Sequence, residues 1–258
     1  MRGYIDHVLA LLPFEPAEYT RLGGPGCTYV GHPLIEQKAL LRPSADELPL
    51  RERASPTLLV MPGSRESEIQ RLLPIFGQTL KRLNEAHSFE IILPTLPYLE
   101  ELVQRKIRTW AVKPVIVAAP SDKHAAMRRA RAALVASGTA TLELALAGVP
   151  MVVAYRVSRL EEFVARRMLK IDKIALPNLI LDRDAVPECV QADCSAEMLS
   201  EALAPLLSGG TQREGQLKAF DDLALRLNVD AREMPSDRAA KIVLRMAEGA
   251  RSSAQEAA

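Results

Sequence analysis

An alternation that begins at Thr57 constrains this chain more than any other feature. Short apolar runs (Leu58–Met61, Glu90–Leu93, Val115–Ala118, Ala133–Ala136, Met151–Tyr155) take turns with segments of helical periodicity: Glu66–Leu83, Tyr98–Trp110, Asp122–Arg129 and Thr139–Ala147. A sheet with one wet face would alternate apolar and polar residues, whereas continuous apolar strands call for burial on both faces. The pattern therefore predicts an α/β fold, a Rossmann-like parallel sheet with helices on both faces. After Tyr155 the chain turns helical, over Arg159–Lys170, Ala196–Leu207, Gln212–Leu227 and Ser236–Ala247.

Ahead of that alternation, His7–Leu12 and Cys27–Val30 read as buried strands, with a short helix over Pro16–Leu22 between them. Strands this early, without preceding β/α partners, suggest the end of a domain whose start is absent, with exposed apolar surface and association as consequences. Residues 42–56 hold Pro43, Pro49, Pro56 and six charges, a linker composition. The expected division is 1–41 as the remnant of one domain, 42–56 as linker, 57–207 as a ligand-binding domain, 208–248 as C-terminal helices and 249–258 as a fraying tail.

Several function classes recede on composition. A formal net charge of +1 argues against a nucleic-acid partner held by charge. Cys27, Cys189 and Cys194 have no CxxC spacing, so neither a disulfide framework nor a zinc site is expected, and the three fit a reducing compartment. No apolar run reaches the roughly 18 residues of a membrane span. The expectation is a soluble, cytosolic protein without a bound metal.

Two strand–loop–helix junctions could carry chemistry. In the first, Leu58–Met61 runs into Pro62-Gly63-Ser64-Arg65 and then a long helix. Gly63 lets backbone approach a ligand, the free amides opening the helix favour an anion, Ser64 can cap or donate, and Arg65 can grip a phosphate. A capped helix with a solvated arginine fits this junction equally. GxxxxGK[ST] is absent, so ATP hydrolysis has no support.

The second junction is Leu134 to Pro150. Ser137-Gly138-Thr139 supplies a flexible turn, two hydroxyls and a helix start. Glu143 is the sole charge between Ala132 and Tyr155, and a carboxylate in such company is costly unless something bonds to it. It lies on the face of Thr139, one turn below the anion-binding end, where a ribose diol could donate to it. A partly exposed Glu on the solvent side is the alternative. Both junctions sit at carboxyl ends of strands, where open α/β sheets bind ligands, and together they describe a nucleotide-diphosphate site without the GxGxxG of dinucleotide enzymes.

Smaller signals read as structural. His32 in Gly31-His32-Pro33 fits a turn, and the basic stretch Arg156–Lys173 fits a solvated helix face. Leu176-Pro-Asn-Leu-Ile180 is an apolar loop whose one amide, Asn178, either reads a ligand or closes a turn.

Taken together, Leu11-Leu-Pro-Phe-Glu15, Gly31-His-Pro33, Leu59-Val-Met-Pro-Gly-Ser-Arg65, Ser137-Gly-Thr-Ala-Thr-Leu-Glu143, Pro150-Met-Val-Val-Ala-Tyr-Arg156 and Leu176-Pro-Asn-Leu179 resemble the lipid-A-disaccharide synthase family of GT-B glycosyltransferases. The resemblance implies the C-terminal half of a GT-B fold, with the donor domain at 57–207. It implies an inverting hexosyl transfer: a diacylated glucosamine passes from its UDP carrier to the 6-hydroxyl of an acylated glucosamine 1-phosphate, giving a β-1,6 disaccharide and UDP.

By matching position, the resemblance assigns Arg65 to diphosphate stabilisation as the catalytic contact, and Gly63, Ser64, Ser137, Gly138 and Thr139 to the phosphates. It assigns Glu143 to the ribose and Asn178 to substrate. No cofactor or metal is implied. The implied partners are a UDP-sugar donor and an acylated glucosamine phosphate acceptor. Peripheral contact with the inner face of the inner membrane would run mainly through an N-terminal domain, a homodimer is possible, and no nucleic acid is involved. Because most of that domain, with its general base, is missing from the match, the chain is expected to be a donor-binding fragment or truncated product. The rival readings are a UDP-N-acetylglucosamine 2-epimerase-like enzyme and a non-catalytic nucleotide-sugar binding module.

Overall fold

A computed structural model describes residues 3–157, 173–228 and 233–256. The chain forms two compact units: residues 38–222, and residues 1–37 with 223–258.

The larger unit is built on six strands: β3 (Thr57–Met61), β4 (Glu90–Pro94), β5 (Val115–Val117), β6 (Ala130–Ala136), β7 (Met151–Tyr155) and β8 (Glu188–Val190). All neighbours pair in parallel, in the order β5-β4-β3-β6-β7-β8. Every residue of β3 and β6 is buried, as continuous apolar runs require. One face, through Leu58, Val60, Leu134 and Val152, packs on Leu72, Leu73 and Phe76 of α3 (Glu66–Leu83). Leu199, Leu203 and Leu206 of the helix Ala196–Ser208 join the same cluster. The opposite face receives α5 (Pro120–Arg129) and α6 (Ala140–Ala147), while α4 (Glu100–Ile107) packs beside α3.

Strand order reverses between β3 and β6, so the loops leaving their carboxyl ends part in opposite directions and open a crevice at that edge. The α/β parallel architecture matches the sequence pattern, with three differences. The apolar loop containing Asn178 is a short helix, Leu176–Leu181, and β8 follows it. β6 begins at Ala130, since Arg131 is buried in the strand with its guanidinium on Leu207 O and Glu52. The expected helix Arg159–Lys170 lies outside the described residues.

The stretch 42–56, of linker composition, is an integral part of the larger unit. It holds a 3-10 helix, Leu48–Glu52, preceded by the short α2 (Lys38–Leu41). The Arg51 guanidinium is buried and donates to four carbonyls. Nε and Nη2 reach Arg128 O (2.9 Å) and Met127 O (3.1 Å) at the end of α5, while Nη1 and Nη2 reach Gly148 O (2.7 Å) and Ala147 O (2.9 Å) at the end of α6. Carbonyls in a helix's last turn lack intrahelical partners and carry the negative end of its dipole, so a cation is favoured there. Gly148 turns out of α6 at φ +69°, a left-handed cap that presents its carbonyl to Arg51. Burial lowers the Arg51 pKa to about 10, a cost offset by the four bonds.

In the smaller unit, β1 (His7–Ala10) pairs in parallel with β2 (Gly26–Tyr29), and α1 (Glu15–Arg21) connects them. Val30, for which exposed apolar surface was expected, is buried, whereas Tyr4, Leu11 and Leu22 are exposed. Tyr29 Oη donates to Leu227 O at 3.0 Å. The last helix, Pro235–Glu256, continues past Gly249, where the sequence led us to expect fraying, because Ala, Arg, Gln and Glu tolerate helix well.

Removing the Arg51 guanidinium strands four carbonyls. Arg51→Met should cost about 3 kcal/mol in unfolding free energy, read as a lower urea midpoint at unchanged slope.

His32 carries a pH effect. Its Nδ1 accepts the Leu34 amide at 3.2 Å, and burial holds the imidazole below the usual histidine range, against a smaller opposing pull from Glu15. The unfolded chain protonates first, so this contribution is complete above about pH 6.5 and is lost as pH falls toward the depressed folded value. His32→Asn should therefore lose less stability than wild type between pH 7.5 and 5.5; equal losses would exclude His32 as the source.

Candidate functional site

The crevice at the carboxyl ends of β3, β4 and β6 holds a pocket of about 400 Å³. Gly63, Ser64, Arg65, Ser137, Gly138, Thr139 and Glu143 all line it, so the two junctions singled out in the sequence face one space. Glu68, Thr95 and Lys123 line it as well. Two larger grooves, of about 650 and 610 Å³, lie between Arg183–Pro187 and Thr211–Ala219, and along edge strand β5. Neither lies at the switch in strand order, so size alone is a poor guide here.

The α6 side is an open anion cradle. The amides of Gly138, Thr139 and Ala140 have no intramolecular partner among the described residues, while Thr141 and Leu142 already bond back to Gly138 O and Thr139 O. Unpaired amides at the positive end of a helix attract an anion. Gly138 sits at φ +152°, and nothing lies within 4 Å of where a Cβ would be. The Ser137 hydroxyl is committed: it donates to Ile174 O at 2.9 Å. Thr139 is left as the turn's available hydroxyl.

Glu143 is neither alone nor on a solvent face. Lys123, near the start of α5, approaches its two carboxylate oxygens at 2.7 and 2.8 Å, and the side chains are 28% and 16% exposed for Lys123 and Glu143. Lys123 is the partner that a carboxylate in apolar company requires. Sequence reading missed it because the two residues are twenty positions apart on different helices.

The first junction differs from its expected role as an open cradle. Arg65 is exposed and bonds Glu68 Oε1 at 2.9 Å, while the Ser64 and Arg65 amides donate to Glu68 Oε2 at 3.0 and 3.2 Å. A residue in the helix's first turn thus holds the groups expected to serve a ligand. Tyr98 Oη braces the same loop through Ser64 O at 3.0 Å. At the end of β4, the enclosed Thr95 hydroxyl has no hydrogen-bond partner among the described residues.

Asn178, expected to contact substrate, has its amide committed to internal hydrogen bonds. It is buried and does not line the pocket. Nδ2 donates to Val186 O (2.9 Å) and Glu188 Oε1 (2.7 Å), while Oδ1 accepts from Ala185 N (2.8 Å) and Val186 N (2.9 Å). Glu188 in turn accepts the Ile174 and Ala175 amides, and Ile174 O receives Ser137. Asn178 therefore steadies the segment to which the pocket's serine is tied.

A family model described as lipid-A-disaccharide synthetase matches residues 1–243. A lipid-A-disaccharide synthase from Bradyrhizobium diazoefficiens is 50% identical over 245 residues, covering 95% of this chain and 62% of that protein. Among solved structures, a putative UDP-N-acetylglucosamine 2-epimerase from Listeria monocytogenes aligns with TM-score 0.58 at 13% identity, over 82% of this chain and 54% of that one. The C-terminal domain of a group 1 glycosyl transferase family protein from Francisella tularensis aligns with TM-score 0.50 at 10% identity, over 75% of this chain and 98% of that domain. At such identities the structural likeness is one of fold alone.

Asn178→Ala should lower unfolding free energy by roughly 3 kcal/mol, since buried amides and a carbonyl lose their partners. A variant as stable as wild type would show that these bonds do not brace the fold.

Proposed function

Because the chain belongs to the lipid-A-disaccharide synthetase family and spans 62% of the length of the curated relative described above, we propose that it carries the nucleotide-sugar half of a hexosyltransferase of lipid A biosynthesis. The complete enzyme would move a diacylated glucosamine from its UDP carrier to an acylated glucosamine 1-phosphate, forming the β-1,6 disaccharide and releasing UDP. In this reading residues 57–207 bind the donor. The acceptor pocket, the general base and the membrane-facing surface belong to the part of the family outside the match. The site of action is the inner face of the inner membrane; among the described residues no helix is long and apolar enough to cross one.

One observation carries the reading: an open amide cradle and a carboxylate line the same pocket at the strand-order switch. The Gly138–Ala140 amides and Thr139 take the diphosphate. Glu143, one helical turn on, accepts from the ribose hydroxyls, with Lys123 neutralising its charge. Arg65, once turned from Glu68, supplies the cation that steadies the diphosphate as it departs. Preorganised amides and a guanidinium are suited to this because negative charge grows on the leaving group during transfer. Gly63 and Ser64 shape the loop that delivers Arg65.

Calorimetry with UDP and with its 2′- and 3′-deoxy forms tests the assignment. Wild type should prefer UDP, and Glu143→Gln should bind UDP about ten-fold more weakly, or about 1.4 kcal/mol, while losing most of its preference for the ribo form. Unaltered discrimination in the variant would remove Glu143 from the ribose. Conversion of UDP-N-acetylglucosamine to its 2-epimer would favour the epimerase reading instead.

A further inference from the structure

Three donors of the Pro62-Gly63-Ser64-Arg65 loop that suit an anion, the Ser64 and Arg65 amides and one nitrogen of the Arg65 guanidinium, are already engaged by Glu68. Two amides hold Oε2 and one guanidinium nitrogen holds Oε1. The loop is shaped around this carboxylate: Gly63 lies at φ +110°, and a Cβ there would fall 2.3 Å from Oε2. Only glycine permits both that backbone conformation and that approach. The α6 cradle, by contrast, is open, and Glu68 lines the same pocket. The formal charges of Arg65, Lys123, Glu68 and Glu143 cancel, so an entering anion gains no net Coulombic attraction from them while Glu68 keeps its position.

Resting on the donor-site reading above, we propose that Glu68 is a resident anion that competes with the ligand's diphosphate for this loop. It thereby biases the site toward an esterified diphosphate over a free nucleoside diphosphate. In a UDP-sugar each phosphate carries one charge. In free UDP the terminal phosphate gains a second charge with a pKa near 6, so repulsion from Glu68 falls harder on the product. Donor binding frees Arg65 from Glu68, and the returning carboxylate favours departure of UDP. A carboxylate that merely caps the helix would act in the opposite sense, since its loss would loosen the loop and weaken every ligand that touches it.

Calorimetry on the full chain separates the two, using uridine, UDP and UDP-N-acetylglucosamine against wild type, Glu68→Gln and, as a charge control in the same helical turn, Glu66→Gln. Glu68→Gln should tighten UDP about five-fold and UDP-N-acetylglucosamine about two-fold, and leave uridine unchanged. Glu66→Gln should change none of the three. Unchanged or weaker UDP binding in Glu68→Gln, equal shifts for all three ligands, or the same gain in Glu66→Gln would overturn the proposal while leaving the donor site intact. If no uridine ligand binds wild type or either variant, the donor-site reading itself fails, and this inference falls with it.

Discussion

The geometry of the pocket depends on a contact at its far end. α5 brings Lys123 and α6 brings Glu143, and the carboxyl ends of both helices terminate on the Arg51 guanidinium. Helices of ten and eight residues are about 15 and 12 Å long, so a rotation at one end is felt at the other. The ion pair near the starts of these helices and the four-carbonyl clamp at their ends fix the two as one body. The Arg128–Glu47 pair adds a third tie from the same segment. A stretch whose composition reads as a tether is in fact the fastening of the site's framework.

Within the pocket, charge is arranged in pairs before any ligand arrives. Lys123 faces Glu143, and Arg65 faces Glu68. Among the described residues, the pocket's unpaired polar groups include backbone amides of the α6 turn and the Thr95 hydroxyl. In the proposed donor site, an anion would meet fixed dipoles first, which need no reorganisation, and only then side chains that must exchange partners. That order would make the α6 turn the primary anchor.

Much of this was legible in the sequence because its causes are local. Continuous apolar runs require a two-sided sheet, and that requirement located β3, β4, β6 and β7 within a few residues. Glycine and hydroxyl residues just after two of those strands marked both halves of the pocket. β8 escaped because Glu188-Cys189-Val190 is not a continuous apolar run, and the helix at Leu176–Leu181 because one and a half helical turns are too few to display a period. The internal partners of Asn178 escaped for a related reason: the groups that satisfy it, at Ala185 to Glu188, become its neighbours only when the chain turns back on itself.

What the sequence by itself determined is the layered α/β framework, the two loops that open its crevice, and the residue types available there, all set by backbone freedom and apolar spacing over a few positions. Which charge meets which partner was decided only by tertiary structure. Lys123 reaches Glu143 across twenty residues, and Arg51 reaches α6 across more than ninety. Even Glu68, four positions from Ser64, closes its loop only because Gly63 takes a conformation that leaves room for the carboxylate. Coulombic and hydrogen-bond energies depend on separations of a few ångströms in space, and spacing along the chain does not specify those separations.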